Sequence, residues 1–479
     1  MDFFDFFEQI CRVPRESGNE EGIRRFLLSW AEDNGLEGLR DMAGNVIIRC
    51  HATPGFEDVP PVALQGHMDM VCVRTQDSTH NFLTDPIQTV ERDGYLYAKD
   101  TSLGADNGIA LAMIMALFTD SQAKHGPLEA VFTFSEETGM DGAFALDGSL
   151  IKSRRMLNLD SEEEGIIYIG CAGGVDVTAH RRSVQEAVPH DWKTLKIGVN
   201  GMKGGHSGAE INRQRANAIK VLAQLLCALE KDAIPFMLSC FAGGERHNVI
   251  PSSAKCTLSV PSGKEEACRN TLQKAFSLIK DEFAVEEPDM VCSINPAEKE
   301  STATGAAESA RLMRALFCTP HGVHSWSKTV EGVVQTSDNL AIVSTDKGGM
   351  SVHISVRSLS EFEKEEAASK IAMILESFGF ETATGNGYPC WTPDAASPLL
   401  RLCAKAWKDF TGKDALITSM HAGLECGVIN SRIPGMDSVS TGPDLFDVHS
   451  VNEHLSIESA KRVYGFVKYL LEALCNSEP

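Results

Sequence analysis

Basic residues are scarce. Lys and Arg total 44 against 66 Asp and Glu, a formal net charge of −22. A surface this negative repels DNA, RNA and anionic membranes, which excludes nucleic acid and lipid as partners. Cysteine is also sparse, with 14 in 479 residues and no CxxC pair. This excludes a disulfide scaffold, a zinc ribbon and a thioredoxin-like motif, so the cysteines read as reduced, mostly buried small residues. Long apolar runs are missing too: the longest, Ile109 to Phe118, is too short to span a bilayer. The start, Met1 to Glu8, lacks the positive region of a signal peptide, and the expected compartment is the cytosol. Low complexity and disorder are excluded by a 43% hydrophobic and 23% charged composition, ordinary for a folded chain. At ~150 residues per domain the length suggests about three domains.

What is present alternates. Phe3–Val13 and Ile23–Asn34 read as amphipathic helices, and Asn45–Arg49, Val62–Gln65, Leu128–Phe134 and Arg155–Leu159 as buried strands. A Gly-rich loop, Leu103 to Gly108, opens the apolar helix Ile109–Phe118. Alternating strands and helices predict an α/β domain with a mainly parallel sheet. From about Val175 the order changes to strand, helix, strand, strand, helix, strand. A similar series follows, with strands expected at Thr329–Val334, Asn339–Ser344 and Ser351–Val356. This predicts an inserted α+β lid of two similar halves, a tandem pair of small sandwiches. The α/β pattern returns with a helix at Pro398–Thr411, a strand at Asp437–Ser440 and a closing helix at Ile457–Leu474. The expected parts are 1–174 and 386–479 for the α/β domain and 175–385 for the insertion.

Four acidic or His-bearing sites stand just past apolar strand runs, where open α/β sheets bind ligands. The first is His67-Met-Asp69; residues two apart on a strand point the same way, which suits an imidazole ligand oriented by a carboxylate. The second is Asp106, in a Gly-flanked turn before the apolar helix. The third is the adjacent pair Glu136-Glu137, whose side chains diverge on extended backbone. One can then bind a metal while the other faces a water. The fourth is Asp160, ending an apolar strand. Singly, each has a plainer reading: a solvated turn for His67–Asp69 and for Glu136–Glu137, a helix N-cap for Asp106, a cap for Asp160. Jointly they do not. If Asp106, Glu137 and Asp160 share a cleft, each pair at ~4 Å repels by ~4 kcal/mol at an effective dielectric near 20. Divalent cations relieve that better than protons. Imidazole and carboxylate ligands suit zinc, with manganese or cobalt as chemical alternatives.

His67-x-Asp69, Gly104-Ala-Asp106-Asn107, Glu136-Glu137 and Asp160, in this order, resemble the co-catalytic zinc metallopeptidases related to glutamate carboxypeptidase. Gly204-Gly-His206-Ser-Gly-Ala-Glu210, Asn248-Val-Ile-Pro251, Arg357-Ser358 and His421 to Gly427 narrow the resemblance to the aminoacyl-histidine dipeptidase (Xaa-His dipeptidase) branch. It runs from Pro14 to Ser450.

The resemblance implies two divalent metal ions. His67 and Asp160 would hold one, Glu137 and His449 the other, and Asp106 would bridge them across a cis Asp106–Asn107 peptide. His454 is the alternative to His449 as last ligand; the His-Ser match favours His449. Asp69 would orient His67. Glu136 would be the general base for a metal-bridging hydroxide that attacks the scissile carbonyl. His206 would donate to the oxyanion. Asn248, Arg357 and the backbone of Gly423 would bind the substrate's C-terminal carboxylate. The implied substrates are dipeptides with a free C-terminus, Xaa-His among them, taken up by closure of the lid. A homodimer is compatible, though a doubled lid imitates a dimer within one chain. An N-acyl amino acid amidohydrolase and a non-catalytic metal- or peptide-binding protein are the alternatives. Glu136 speaks against the latter, because a dead relative has no need of a base.

Overall fold

A computed structural model describes residues 1–346 and 348–476. The chain forms two compact units. The first comprises Met1–Cys171, Trp391–Ser419 and Leu424–Pro479; the second comprises Ala172–Cys390 with Met420–Gly423. The second unit thus starts before and ends after the expected bounds. It also takes in Gly423, which the sequence pattern puts in the α/β part. The backbone explains this: Met420 O accepts from Ala172 N at 2.9 Å, and His421 Nε2 lies 2.7 Å from Ser337 Oγ.

The first unit is built on an eight-stranded sheet. Its order is Glu37–Arg40, Val46–Cys50, Leu128–Thr133, Val62–His67, Arg155–Asn158, Asp437–Ser440, Ile166–Cys171, Leu416–Met420. The four strands from Leu128–Thr133 to Asp437–Ser440 run parallel, and Val46–Cys50 pairs antiparallel at their flank. Every residue of Val62–His67 and Leu128–Thr133 is buried, as a strand covered on both faces requires. Helix Ala105–Thr119 is apolar on all sides and is buried almost throughout, so it sits within the core rather than on it. A separate four-stranded sheet, Leu445–Phe446, His454–Ser456, Tyr95–Ala98 and Thr89–Arg92, ties the C-terminal region to the loop before that helix.

The second unit contains one eleven-stranded sheet, not two separate sandwiches. Its main path divides into four strands around Trp192–Asn200 and four around Gly349–Ser358. They join where Met237–Gly243 pairs with Val334–Asp346. The buried faces share a core with helices Ala218–Lys231, Glu265–Glu282, Ala306–Cys318 and Glu361–Ser377. The strand expected at Thr329–Val334 is a turn. Ser327 Oγ accepts from Thr329 N and Val330 N, a local bond that competes with strand pairing. The pairing strand lies earlier, at Gly322–Trp326. The long strand Gly173–Arg182 turns Val175, Val177 and Ala179 into the core, alternating with Asp176, Thr178 and His180 on the other face.

Candidate metal centre

Parallel strands bring the candidate ligands to one end of the first unit's sheet. Val62–His67 ends on His67, Leu128–Thr133 leads into Glu136 and Glu137, and Arg155–Asn158 leads into Asp160. His67 Nε2 lies 3.0 Å from Asp106 Oδ1 and 3.4 Å from Asp160 Oδ1. His449 Nε2 lies 3.1 Å from Asp106 Oδ2 and 2.9 Å from Glu137 Oε2. Asp106 therefore turns one oxygen to each imidazole. Three overlapping groups, His67–Asp106–Asp160, His67–Glu136–Glu137 and Asp106–Glu137–His449, each offer ligand atoms within 4.8 Å of one another, close enough to hold a metal ion. Two ligands of a tetrahedral zinc ion stand about 3.4 Å apart, so these separations suit a shared cation. His454 is elsewhere: its ring stacks on Tyr97 and Phe446, at 4.8 and 5.0 Å between centroids.

The turn that carries Asp106 is held from three sides. Glu453, 2% exposed, accepts hydrogen bonds from the amides of Leu103, Gly104, Ala105 and Asp106 at 2.8, 2.9, 2.8 and 3.3 Å. Arg15 donates to the carbonyls of Met68 and Asp69, at 3.1 and 2.7 Å, and to that of Gly104. Asn107 accepts from His67 N and donates to Leu159 O, so one amide links two metal-bearing segments. Gly66 must lack a side chain here, since a Cβ would lie 2.2 Å from Asn107 Oδ1. The Asp106–Asn107 peptide is cis.

Asp69 is fully buried and serves two neighbours. Its Oδ1 lies 3.3 Å from His67 Nδ1, and it accepts from Ser17 Oγ and from the amides of Glu136 and Glu137. It thereby fixes both the imidazole and the carboxylate pair. Against the upward push of burial, these bonds hold its carboxyl down at about 2. Asp106 is likewise depressed, as His449 and His67 overcome its burial. Burial, then Asp106 and Glu137, lift Asp160 to about 6 against the pull of His67. Glu136 is raised well above the carboxylate range by burial, with Asp160, Glu425 and Glu137 adding to it. Bonds from Asp106 and Glu137 carry His449 up to about 11. The cluster is thus short of positive charge. Asp160 Oδ1 is also buried without an aligned hydrogen-bond donor among the described residues, and a cation satisfies such an oxygen directly. The donor set therefore fits divalent metal ions.

His206, Asn248, Arg357 and Gly423 all lie in the second unit. His206 Nδ1 accepts from Gly208 N and Ala209 N, at 3.2 and 3.0 Å, which puts the proton of the neutral ring on Nε2. Burial, Arg357 and His247 lower its pKa and keep it neutral. Arg357 is 8% exposed and donates from Nη1 to Tyr388 Oη at 2.7 Å, while its Nε is buried without a hydrogen-bond partner among the described residues. Gly174 makes that contact possible, because a Cβ there would lie 2.4 Å from the Tyr388 ring. Asn248 O accepts from Ser207 N at 2.9 Å, next to His206. Gly423 sits in the turn after strand Leu416–Met420. His421, two residues before it, is pushed down to about 3 by burial and by Arg357.

The profile of peptidase family M20/M25/M40 matches residues 63–473. The chain belongs to peptidase family M20. This M20 chain is 36% identical over 471 residues to the cytosol non-specific dipeptidase of Escherichia coli, covering 98% of this chain and 97% of that one. The crystal structure of aminoacylhistidine dipeptidase from Vibrio alginolyticus superposes with a TM-score of 0.91 at 35% identity, covering 98% and 96% of the two chains. The aminopeptidase PepT of Bacillus cereus shares the fold, with a TM-score of 0.57 at 16% identity. Its relatives are thus peptide-bond hydrolases, dipeptidases among them. No helix among the described residues is long and apolar enough to cross a membrane.

Sequence reasoning missed the residues that position the site. Glu453 reads as one more acid in a polar tail, and nothing in its spacing marks four amides waiting for it. Glu425 is fully buried, accepting from Gln65 Nε2 at 2.5 Å and Thr133 Oγ1 at 2.7 Å beneath the strands that carry His67 and Glu136. Burial raises it to about 7. A signal was available for Glu425, which lies inside the His421–Gly427 motif, whereas Glu453 had none.

Proposed function

We propose that the chain is a metal-dependent dipeptidase that cleaves the peptide bond of short peptides with a free C-terminus, Xaa-His dipeptides first among them. The observation that carries this is Asp106 joining two imidazole–carboxylate half-sites, with Glu136 beside them. In this reading His67 and Asp160 hold one ion, Glu137 and His449 the other, and Asp106 both. Bound divalent cations, zinc first by donor chemistry, would activate a water and polarise the scissile carbonyl.

The chain's own groups do the rest. Glu136 takes the proton from the attacking water and delivers it to the leaving amine; its burial favours holding the proton between these steps. Asp69 keeps His67 and the Glu136–Glu137 turn in place. His206 donates from Nε2–H to the developing oxyanion, an interaction worth ~2.7–4 kcal/mol when well aligned. Arg357 pairs with the C-terminal carboxylate through its unused guanidinium edge, with Asn248 and the backbone of Gly423 alongside. The names of the E. coli and Vibrio relatives support dipeptides as the substrate class, and that of the E. coli relative supports the cytosol as the place of action.

The test is metal analysis of the purified protein with hydrolysis of carnosine, other Xaa-His, Xaa-Gly, tripeptides and N-acetyl amino acids, before and after chelation. Two ions per chain and chelator-sensitive dipeptide cleavage support the reading. Full cleavage by metal-free protein, or preference for N-acetyl amino acids, overturns it.

A further inference from the structure

A second set of ligand atoms lies apart from the metal centre, wholly within the second unit. Asp176, His247 and His353 offer one oxygen and two nitrogens within 4.8 Å of one another. His353 Nε2 stands 3.2 Å from Asp176 Oδ2, and His247 Nδ1 stands 3.8 Å from the same oxygen. Asp176 is buried, 6% exposed, in the middle of strand Gly173–Arg182.

Two features distinguish this group from an ordinary ion pair. The first is alignment: despite its closeness to Asp176, His353 Nε2 is buried with no hydrogen-bond partner of acceptable geometry among the described residues. A cation held between the two atoms would satisfy both. Ligands of one tetrahedral ion are separated by about 3.4 Å, between the two distances seen. The second is support. Asn386 Nδ2 donates to Asp176 Oδ2 at 3.3 Å and orients the carboxylate, as neighbours of metal ligands do.

The sheet register explains the convergence. Asp176 pairs with Ser355, and partners in an antiparallel pair share a face. Residues 353, 355 and 357 alternate onto that face. Val352, Ile354 and Val356 point the other way, into the core. Asp176, His353 and Arg357 therefore stand on the sheet's polar face, and His247 reaches it from the loop that also carries Asn248.

We propose that Asp176, His247 and His353 form an auxiliary site for a divalent transition ion of the zinc class. Two imidazoles and a carboxylate match zinc's donor preference, and three protein ligands leave a coordination position for water. An ion there adds positive charge to the face that bears Arg357.

Zinc counting on the full-length holoenzyme tests this. Wild type, His353→Ala and His247→Ala are equilibrated at the same buffered free zinc, and bound metal is measured by mass spectrometry. Each variant should carry one zinc fewer than wild type, and the cobalt-substituted variants should lose one ion's share of the visible absorption. Equal counts in all three proteins overturn the proposal and leave a proton shared between Asp176 and the imidazoles as the explanation. His247 is half-exposed, so its variant keeps the test readable if His353→Ala does not fold. A parallel His449→Ala variant reports on the first unit alone, so the two metal assignments fail separately.

Discussion

Replacing Glu453 with alanine strands four buried backbone donors at once. The carboxylate accepts from Leu103, Gly104, Ala105 and Asp106, and a buried N–H without a partner costs at least about 1 kcal/mol. The loss is therefore on the order of 4 kcal/mol, a large share of the 5–15 kcal/mol that typically holds a domain. The damage should be local, in the turn that presents Asp106. Hydrogen exchange of the Leu103–Asp106 amides is the direct assay. At 1.4 kcal/mol per decade, their exchange should accelerate by roughly a thousandfold if it proceeds through local opening. Glu453→Gln keeps one acceptor oxygen but turns an NH2 toward the other two donors, so it should show about half the free-energy loss. Because Asp106 faces both imidazoles, affinity for metal should fall in the same order, alanine worse than glutamine. The reasoning is refuted if Glu453→Ala leaves these amides as protected as in wild type with metal content unchanged.

Glu136→Gln should lower kcat by about 10²–10⁴-fold while retaining bound metal, read by steady-state kinetics with metal counting; loss of metal instead would make Glu136 a ligand rather than a base. His206→Ala should cost about 10²–10³-fold in kcat with a smaller change in KM, as expected for a donor engaged mainly in the transition state. Arg357→Ala should raise KM and lower kcat, and should erase any preference for a free C-terminus over its amide; unchanged dipeptide kinetics would remove it from carboxylate binding. His421 is depressed from 6.5 to about 3 by burial and Arg357. The folded state resists its protonation, so its stabilising contribution is complete above pH 6.5 and is lost as pH falls toward 3. At about 1.36 kcal/mol per pK unit this amounts to at most about 5 kcal/mol. In metal-free protein, His421→Gln should flatten the acid limb of urea-denaturation stability relative to wild type.

Chemistry-bearing residue types at fixed offsets were legible without coordinates. His67-x-Asp69, Glu136-Glu137 and Asp160 follow apolar strands, Asp106-Asn107 opens an apolar helix, and like charges in that pattern call for cations. The helices and strands of the first unit were legible for a related reason: buried segments such as Leu128–Thr133 and Ala105–Thr119 are so apolar that local pattern and tertiary burial agree. The choice between His449 and His454 was different in kind. Both sit in one short polar stretch; the His-Ser match favours His449, and in the fold a stacking partner, Tyr97, some 350 residues away in sequence, holds His454 elsewhere. Tertiary structure likewise decided the role of Glu453, the burial of Glu425 beneath the ligand-bearing strands, and the meeting of Asp176 with His353 and His247. Such contacts arise from sheet register and chain crossing, where residues far apart in sequence are paired by backbone hydrogen bonds. Local composition determines which side chains can bind and which segments must be buried; only closure of the fold determines which of them share a point in space.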